Sequence, residues 1–166
     1  MPDFFIEFAT PKDVDSIVQM IRDLAEFEKM PEHCHVTTEH IRRAVFEEQL
    51  VRVIMARSRD DEGNVDTAGF ALFFYNFSTW TGVKGLHLED LYVRPEYRGR
   101  GLGRSMLRHL AKLANDEGCQ RFEWNVLDWN VNAIALYESF GATLLHDWRI
   151  CRLDGPALKA YGSIKE

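Results

Sequence analysis

A chain of 166 residues, 46% hydrophobic and 28% charged, can bury one domain-sized core without disulfides or metals. Its net charge of −6 argues against nucleic acid as a partner, because neutralising phosphate dominates such affinity, and is compatible with a cationic small substrate. No window approaches the ~18 apolar residues of a membrane span. Met1-Pro2-Asp3-Phe4 lacks the basic run of a secretory signal, and three cysteines without a CxxC (Cys34, Cys119, Cys151) suit a reducing cytoplasm, so the expectation is a cytoplasmic protein.

No repeat or Pro/Ser-rich linker interrupts the chain, which predicts a single domain over residues 1–166. Phe4, Ile6 and Phe8 alternate as a short strand. Thr10-Pro11-Lys12-Asp13 reads as a helix start, with Thr10 as N-cap, Pro11 at the first helical position and Asp13 at the capping-box spacing. Val14, Ile17, Val18, Ile21 and Leu24 continue at helical spacing, and a second helix runs from Thr37 or Thr38 to about Glu48. Strands follow at 51–58, 68–77 and 86–93, with a polar turn at 60–64 and a turn bracketed by Gly82 and Gly85. Leu102, Met106, Leu110 and Leu113 mark a helix ending near Gly118. Phe122, Trp124 and Val126 alternate as a strand, a helix from Asn130 to Phe140 is closed by Gly141, and residues 143–152 return as a strand. The order β-α-α-β-β-β-α-β-α-β is a mixed α/β domain.

The informative stretch is Val93 to Arg104, where a strand ends, a Gly-rich loop follows and an amphipathic helix begins. Unpartnered N–H groups and the partial positive charge of a helix N-terminus, approached closely through glycines, make a phosphate cradle. Arg98, Arg100 and Arg104 add positive charge there. A tight strand–helix turn with no ligand is the plainer reading of the spacing alone. Gly99-x-Gly101-x-Gly103 is neither a dinucleotide fingerprint nor a P-loop.

Arg98-Gly99-Arg100-Gly101-Leu102-Gly103 matches the Arg/Gln-x-x-Gly-x-Gly/Ala signature of the GNAT acetyltransferase superfamily, and Asn130-x-x-Ala133-x-x-x-Tyr137-x-x-x-Gly141-Ala142 matches the second half of that pattern. The resemblance covers essentially the whole chain. Leu24 to Lys29, Ser78-Thr79-Trp80, Leu88-Glu89-Asp90, Pro95 to Gly99 and Val126 to Asn130 further resemble the diamine/thialysine N-acetyltransferases, the thialysine branch in particular. The resemblance implies a GNAT fold: α/β (α+β), a mixed, mostly antiparallel sheet with a central splay, flanked by helices.

It also implies direct transfer of an acetyl group from acetyl-CoA to a small-molecule amine, in a homodimer, without metal. An alkylammonium with a pKa near ~10.4 is almost wholly protonated at neutral pH, so a base must take its proton. Glu89 is the base candidate and Tyr137 the acid for the departing thiolate; the plainer readings are a paired strand carboxylate and a core aromatic. Asp90 falls on the opposite face by alternation and reads as structural. The resemblance assigns the cofactor to Leu91, Tyr92, Val93, Arg98, Gly99, Arg100, Gly101, Leu102, Gly103, Arg104, Asn130, Val131, Asn132, Ala133 and Phe140. It assigns the acceptor to Phe27, Glu28, Trp80, Glu89, Glu123, Trp124 and Asn125, with plain packing as the alternative for the two tryptophans. Ser78, where polyamine-preferring members carry an acid, and a short connection from Ala142 to Trp148 favour a thialysine- or lysine-like amine over spermidine. Polyamine acetylation, a protein acceptor and a non-catalytic acyl-CoA sensor remain the rival readings. His33-Cys34-His35 has no partner spacing for a metal, and no histidine stands in a nucleophilic constellation.

Overall fold

The computed structural model describes residues 3–164. Met1 and Pro2, part of the N-terminal segment read above, lie outside them, as do Lys165 and Glu166. The chain falls into two compact units that divide between Asn125 and Val126.

The first unit contains β1 (Asp3–Phe8), α1 (Val14–Phe27), α2 (Thr38–Arg42), β2 (Arg52–Arg59), β3 (Val65–Ser78), β4 (Val83–Val93), α3 (Leu102–Asp116) and β5 (Phe122–Trp124). Its sheet runs β1-β2-β3-β4-β5, antiparallel at the first three junctions and parallel at the last. Val14, Ile17, Val18 and Met20 form a cluster with Val53, Met55, Phe70, Leu72 and Tyr92, which places α1 on one sheet face. Leu102, Met106, Leu107, Leu110 and Ala114 are the buried stripe of α3. These apolar positions recur at three- and four-residue spacing, which is why the sequence was legible as helix here.

The start of α1 shows how local and long-range order combine. Asp13 Oδ2 accepts the Thr10 N–H at 2.8 Å and the Thr10 hydroxyl at 3.0 Å, the reach-back expected of Asp13. Its Oδ1 accepts Arg57 Nη2 at 2.7 Å, and Arg57 also donates to Glu7 and Thr67. Burial works to raise the Asp13 carboxyl, but the bonds from the Thr10 backbone and from Arg57 outweigh it and hold it below its ordinary value.

Three sequence expectations need revision. The helix expected to Glu48 is α2 followed by a π-helical stretch, Arg43–Glu47. Gly85 lies inside β4, not at a turn: a Cβ there would meet Asn76 Oδ1 and Arg121 Cγ at 2.6 Å, so the glycine admits close neighbours. Residues 143–152 form no strand. The Trp148 N–H turns back to the Leu145 carbonyl at 3.3 Å, and a strand exists only against a neighbour.

The second unit contains α4 (Val131–Glu138) and α5 (Gly155–Gly162). Gly141, at φ 93°, follows the end of α4 as expected of a C-terminal glycine. The sequence reading missed α5, although Asp154-Gly155-Pro156 carries an N-cap residue and an early proline.

Candidate active site

β4 meets β3 along most of its length but meets β5 only at Leu86, His87 and Leu88, opposite Phe122, Glu123 and Trp124. From Glu89 to Val93 the β5-side edge has no strand partner among the described residues. The backbone of Leu91, Tyr92 and Val93 therefore lies along an open edge, suited to an extended ligand that carries amides.

The opening coincides with a bulge. Phe73 pairs with Leu88 and Leu72 with Asp90, which leaves Glu89 as the extra residue. The bulge interrupts strict alternation between Leu88 and Asp90. Asp90 is opposite Leu72, a member of the α1-side core that also holds Tyr92, two residues further on. Asp90 thus shares the α1 side, and burial, then the charges of Glu89 and Glu28, push its carboxyl up to about 6. Burial also raises Glu28. Glu89 is the accessible member of this trio, its side chain 57% exposed. Three neighbouring carboxylates make a site that favours an ammonium group.

Beyond Val93 a glycine loop leads into α3, where the sequence predicts a cradle. Gly99 and Gly101 adopt φ 74° and 77°, and the space a Cβ would take at either is open. Gly101 is the N-cap of α3 and offers no side chain, and the amides of Leu102 and Gly103 lie ahead of the bond from the Ser105 N–H to the Gly101 carbonyl. This arrangement fits a pyrophosphate. The loop is braced from outside: the Tyr97 hydroxyl donates to Asp66 at 2.6 Å, Arg94 lies 3.7 Å from the same carboxylate, and Phe4 meets Tyr97 edge-on. Arg100 lies over the Tyr97 ring. Arg98 turns away from the cradle: its Nε donates to the Val93 carbonyl at 2.9 Å, and its guanidinium lies over Phe27 and Tyr92.

Phe27, at the end of α1, is joined through Arg98 to the end of β4, and Glu28 acts on Asp90. Glu123 is brought beside His87, and Trp124 lies against Phe122 with the rings tilted by 53°, Asn125 being next in the chain. Trp80 is not brought to Glu89. It is 90% exposed in the β3–β4 turn, and the strand from Val83 to Glu89 alone spans ~20 Å. His87, which stands in no nucleophilic constellation and is not among the sequence candidates, has Nε2 3.9 Å from Glu89 Oε2 and Nδ1 3.9 Å from Glu123 Oε1. The signal was the two-residue spacing of His87 and Glu89 on one strand.

In the second unit, Asn130 caps α4 by accepting the Ala133 N–H at 3.4 Å, with Val131 and Asn132 in the first turn. Tyr137 meets Phe140 edge-on at 6.1 Å, and burial pushes its phenol upward.

An open strand edge leading into a glycine cradle defines an acyl-CoA-dependent transferase, and solved structures carry the same fold. They include an integron cassette protein from the mobile metagenome of V. cholerae (TM-score 0.79, 24% identity, 97% of this chain and 98% of that one). A Trypanosoma brucei acetyltransferase matches with TM-score 0.68 at 20% identity, over 92% of this chain and 99% of that one. The model of the acetyltransferase (GNAT) family matches residues 10–142, and the chain belongs to that family as an acetyl-CoA-dependent N-acetyltransferase. Among characterised relatives, the thialysine N-epsilon-acetyltransferase of Caenorhabditis elegans is 41% identical over 97% of this chain and 98% of its own. The Sus scrofa protein of the same name is 36% identical over 96% and 97%. A Homo sapiens spermidine/spermine N(1)-acetyltransferase-like protein 1 is 32% identical over 93% of this chain and 23% of its own.

Proposed function

We propose that this enzyme acetylates the side-chain amine of thialysine or a related amino acid, with Glu89 as base and Tyr137 as acid. The observation that carries the reading is the bulge at Glu89, which sets an accessible carboxylate where β4 parts from β5. Glu89 takes a proton from the substrate ammonium, the freed nitrogen attacks the thioester carbon, the C–S bond breaks, the Tyr137 phenol protonates the thiolate, and the second proton shed by the acylated nitrogen restores the phenol. Burial keeps that phenol protonated at neutral pH. The loop backbone from Arg98 to Arg104 and the edge at Leu91, Tyr92 and Val93 hold the coenzyme, and the family resemblance gives Asn130, Val131, Asn132, Ala133 and Phe140 the same role. Phe27, Glu28, Glu123, Trp124 and Asn125 serve the acceptor.

Thialysine relatives spanning nearly the whole chain, together with Ser78, support an amino-acid amine over a polyamine. The two units act as one acetyltransferase domain, since the family match crosses their boundary. We place the enzyme in the cytoplasm as a homodimer, and the free Cys34, Cys119 and Cys151 suit that compartment.

Coenzyme A release from acetyl-CoA with thialysine, lysine, putrescine and spermidine tests the substrate. Thialysine should turn over fastest; a preference for spermidine overturns the amino-acid reading. Tyr137→Phe should lower kcat roughly 10²-fold with the KM for the amine little changed; unchanged kcat removes the acid role.

A further inference from the structure

We propose that His87 relays the proton that Glu89 takes from the amine, passing it across the β4–β5 ladder to Glu123 and so to solvent. The inference rests on Glu89 as the base. Acetylation of an alkylammonium removes two protons from nitrogen and returns one to sulfur, so each turnover leaves one proton to export. In the free enzyme the exposed Glu89 exchanges with water directly; once the acceptor and the coenzyme cover it, its proton needs another way out.

The geometry points to the ring between the two carboxylates. Nε2 lies 3.9 Å from Glu89 and Nδ1 lies 3.9 Å from Glu123, so opposite nitrogens serve opposite partners. The parallel register His87↔Glu123 sets those two residues side by side. The ring is held: its side chain is 16% exposed and it lies on Phe74, centroids 4.9 Å apart and planes tilted 32°. Glu123 is positioned in turn by Asn76 Nδ2, which donates at 2.7 Å, and it is faced by Arg121 at 3.6 Å. Its carboxylate is accessible enough to exchange with water.

Imidazole suits the task because it can accept a proton at one nitrogen and release another from the second. A neutral ring takes the proton from Glu89 at Nε2, becomes a cation between two carboxylates, and loses the Nδ1 proton to Glu123. No electron pair leaves the ring, and a tautomer change resets it. Each 3.9 Å gap is spanned by one water or by a small rotation of an accessible carboxylate. Asp90 and Glu28 on the α1 side and Arg121 beyond Glu123 are charged neighbours of Glu89, His87 and Glu123.

His87→Phe keeps an aromatic ring on Phe74 and removes both nitrogens. We expect kcat to fall roughly tenfold with the KM for acetyl-CoA unchanged, and added imidazole to restore most of the loss. Imidazole should leave the wild-type enzyme unaffected. His87→Gln, which stays polar, should show the same loss and the same rescue, and guards against a packing defect in the first variant. Unchanged kcat in both variants, or a loss in both that imidazole does not restore, overturns the relay. Failure of the Glu89 assignment reads differently: Glu89→Gln then keeps wild-type turnover, and a rescuable His87→Phe defect makes His87 the base itself, which overturns the relay. Failure of the relay alone leaves Glu89→Gln slow and the His87 variants fast.

Discussion

The two halves of β4 differ in what completes them. From Val83 to Leu88 the strand has β3 on one side and is joined on the other by β5 or the segment just before it, with Gly85 crowded by Asn76 and Arg121. From Glu89 to Val93 it has β3 alone among the described residues. Sheet stability depends on neighbours, and binding of an extended ligand depends on their absence. The bulge marks the change from one regime to the other. Substitutions in the closed half should therefore act on stability, and those in the open half on turnover or coenzyme affinity.

The largest effect belongs to the junction. Glu89→Gln should reduce kcat roughly 10²–10³-fold with little change in melting temperature, since the side chain is half exposed. Turnover close to wild type would break the assignment. Next comes Asp90, whose folded carboxyl is raised to about 6. A raised carboxyl is protonated in the fold at pH values where the unfolded chain has already lost the proton. Its cost is absent below about pH 4, grows between 4 and 6, and is complete above 6. Asp90→Asn should therefore stabilise the protein by roughly 2–3 kcal/mol at pH 7.5 and by almost nothing at pH 4. A lower melting temperature at pH 7.5 would show that the carboxylate is needed by the fold.

The two smaller effects set the halves against each other through glycines. Gly85→Ala places a Cβ 2.6 Å from Asn76 and Arg121 atoms and should cost about 1–2 kcal/mol, with kinetic constants per folded molecule unchanged. Gly101→Ala forces a φ of 77° on alanine, at about 1 kcal/mol, in otherwise open space. It should raise the KM for acetyl-CoA several-fold and leave the KM for the amine alone. Thermal unfolding and paired KM measurements separate the two variants; a raised coenzyme KM in Gly85→Ala would undo the distinction.

What could be read from the sequence was local. The Thr10–Asp13 contact, the stripes of α1 and α3 and the glycine cradle each depend on residues a few positions apart. The bulge did not show, because it is a relation between Leu72–Phe73 and Leu88–Asp90 across a hairpin. Alternation counted from Leu88 therefore does not carry across Glu89 to Asp90. The pairing of His87 with Glu123 stayed hidden because it needs the register of a parallel junction joined through α3. Residues 143–152 show the converse: a plausible strand pattern without a ladder to join. Trp80 is adjacent to the acceptor residues only by resemblance, since distance along β4 separates it from Glu89.

The bracing of the glycine loop bears on transplantation. Residues 94–101 look portable as a string, yet their shape is held by groups far away in the chain: Asp66 grips Tyr97 and Arg94, and Phe4 closes on the Tyr97 ring. A host scaffold given the string alone would receive its glycines without the scaffolding that aims them. A working graft of this coenzyme cradle must carry the first turn of β3 and a residue of β1 along with it.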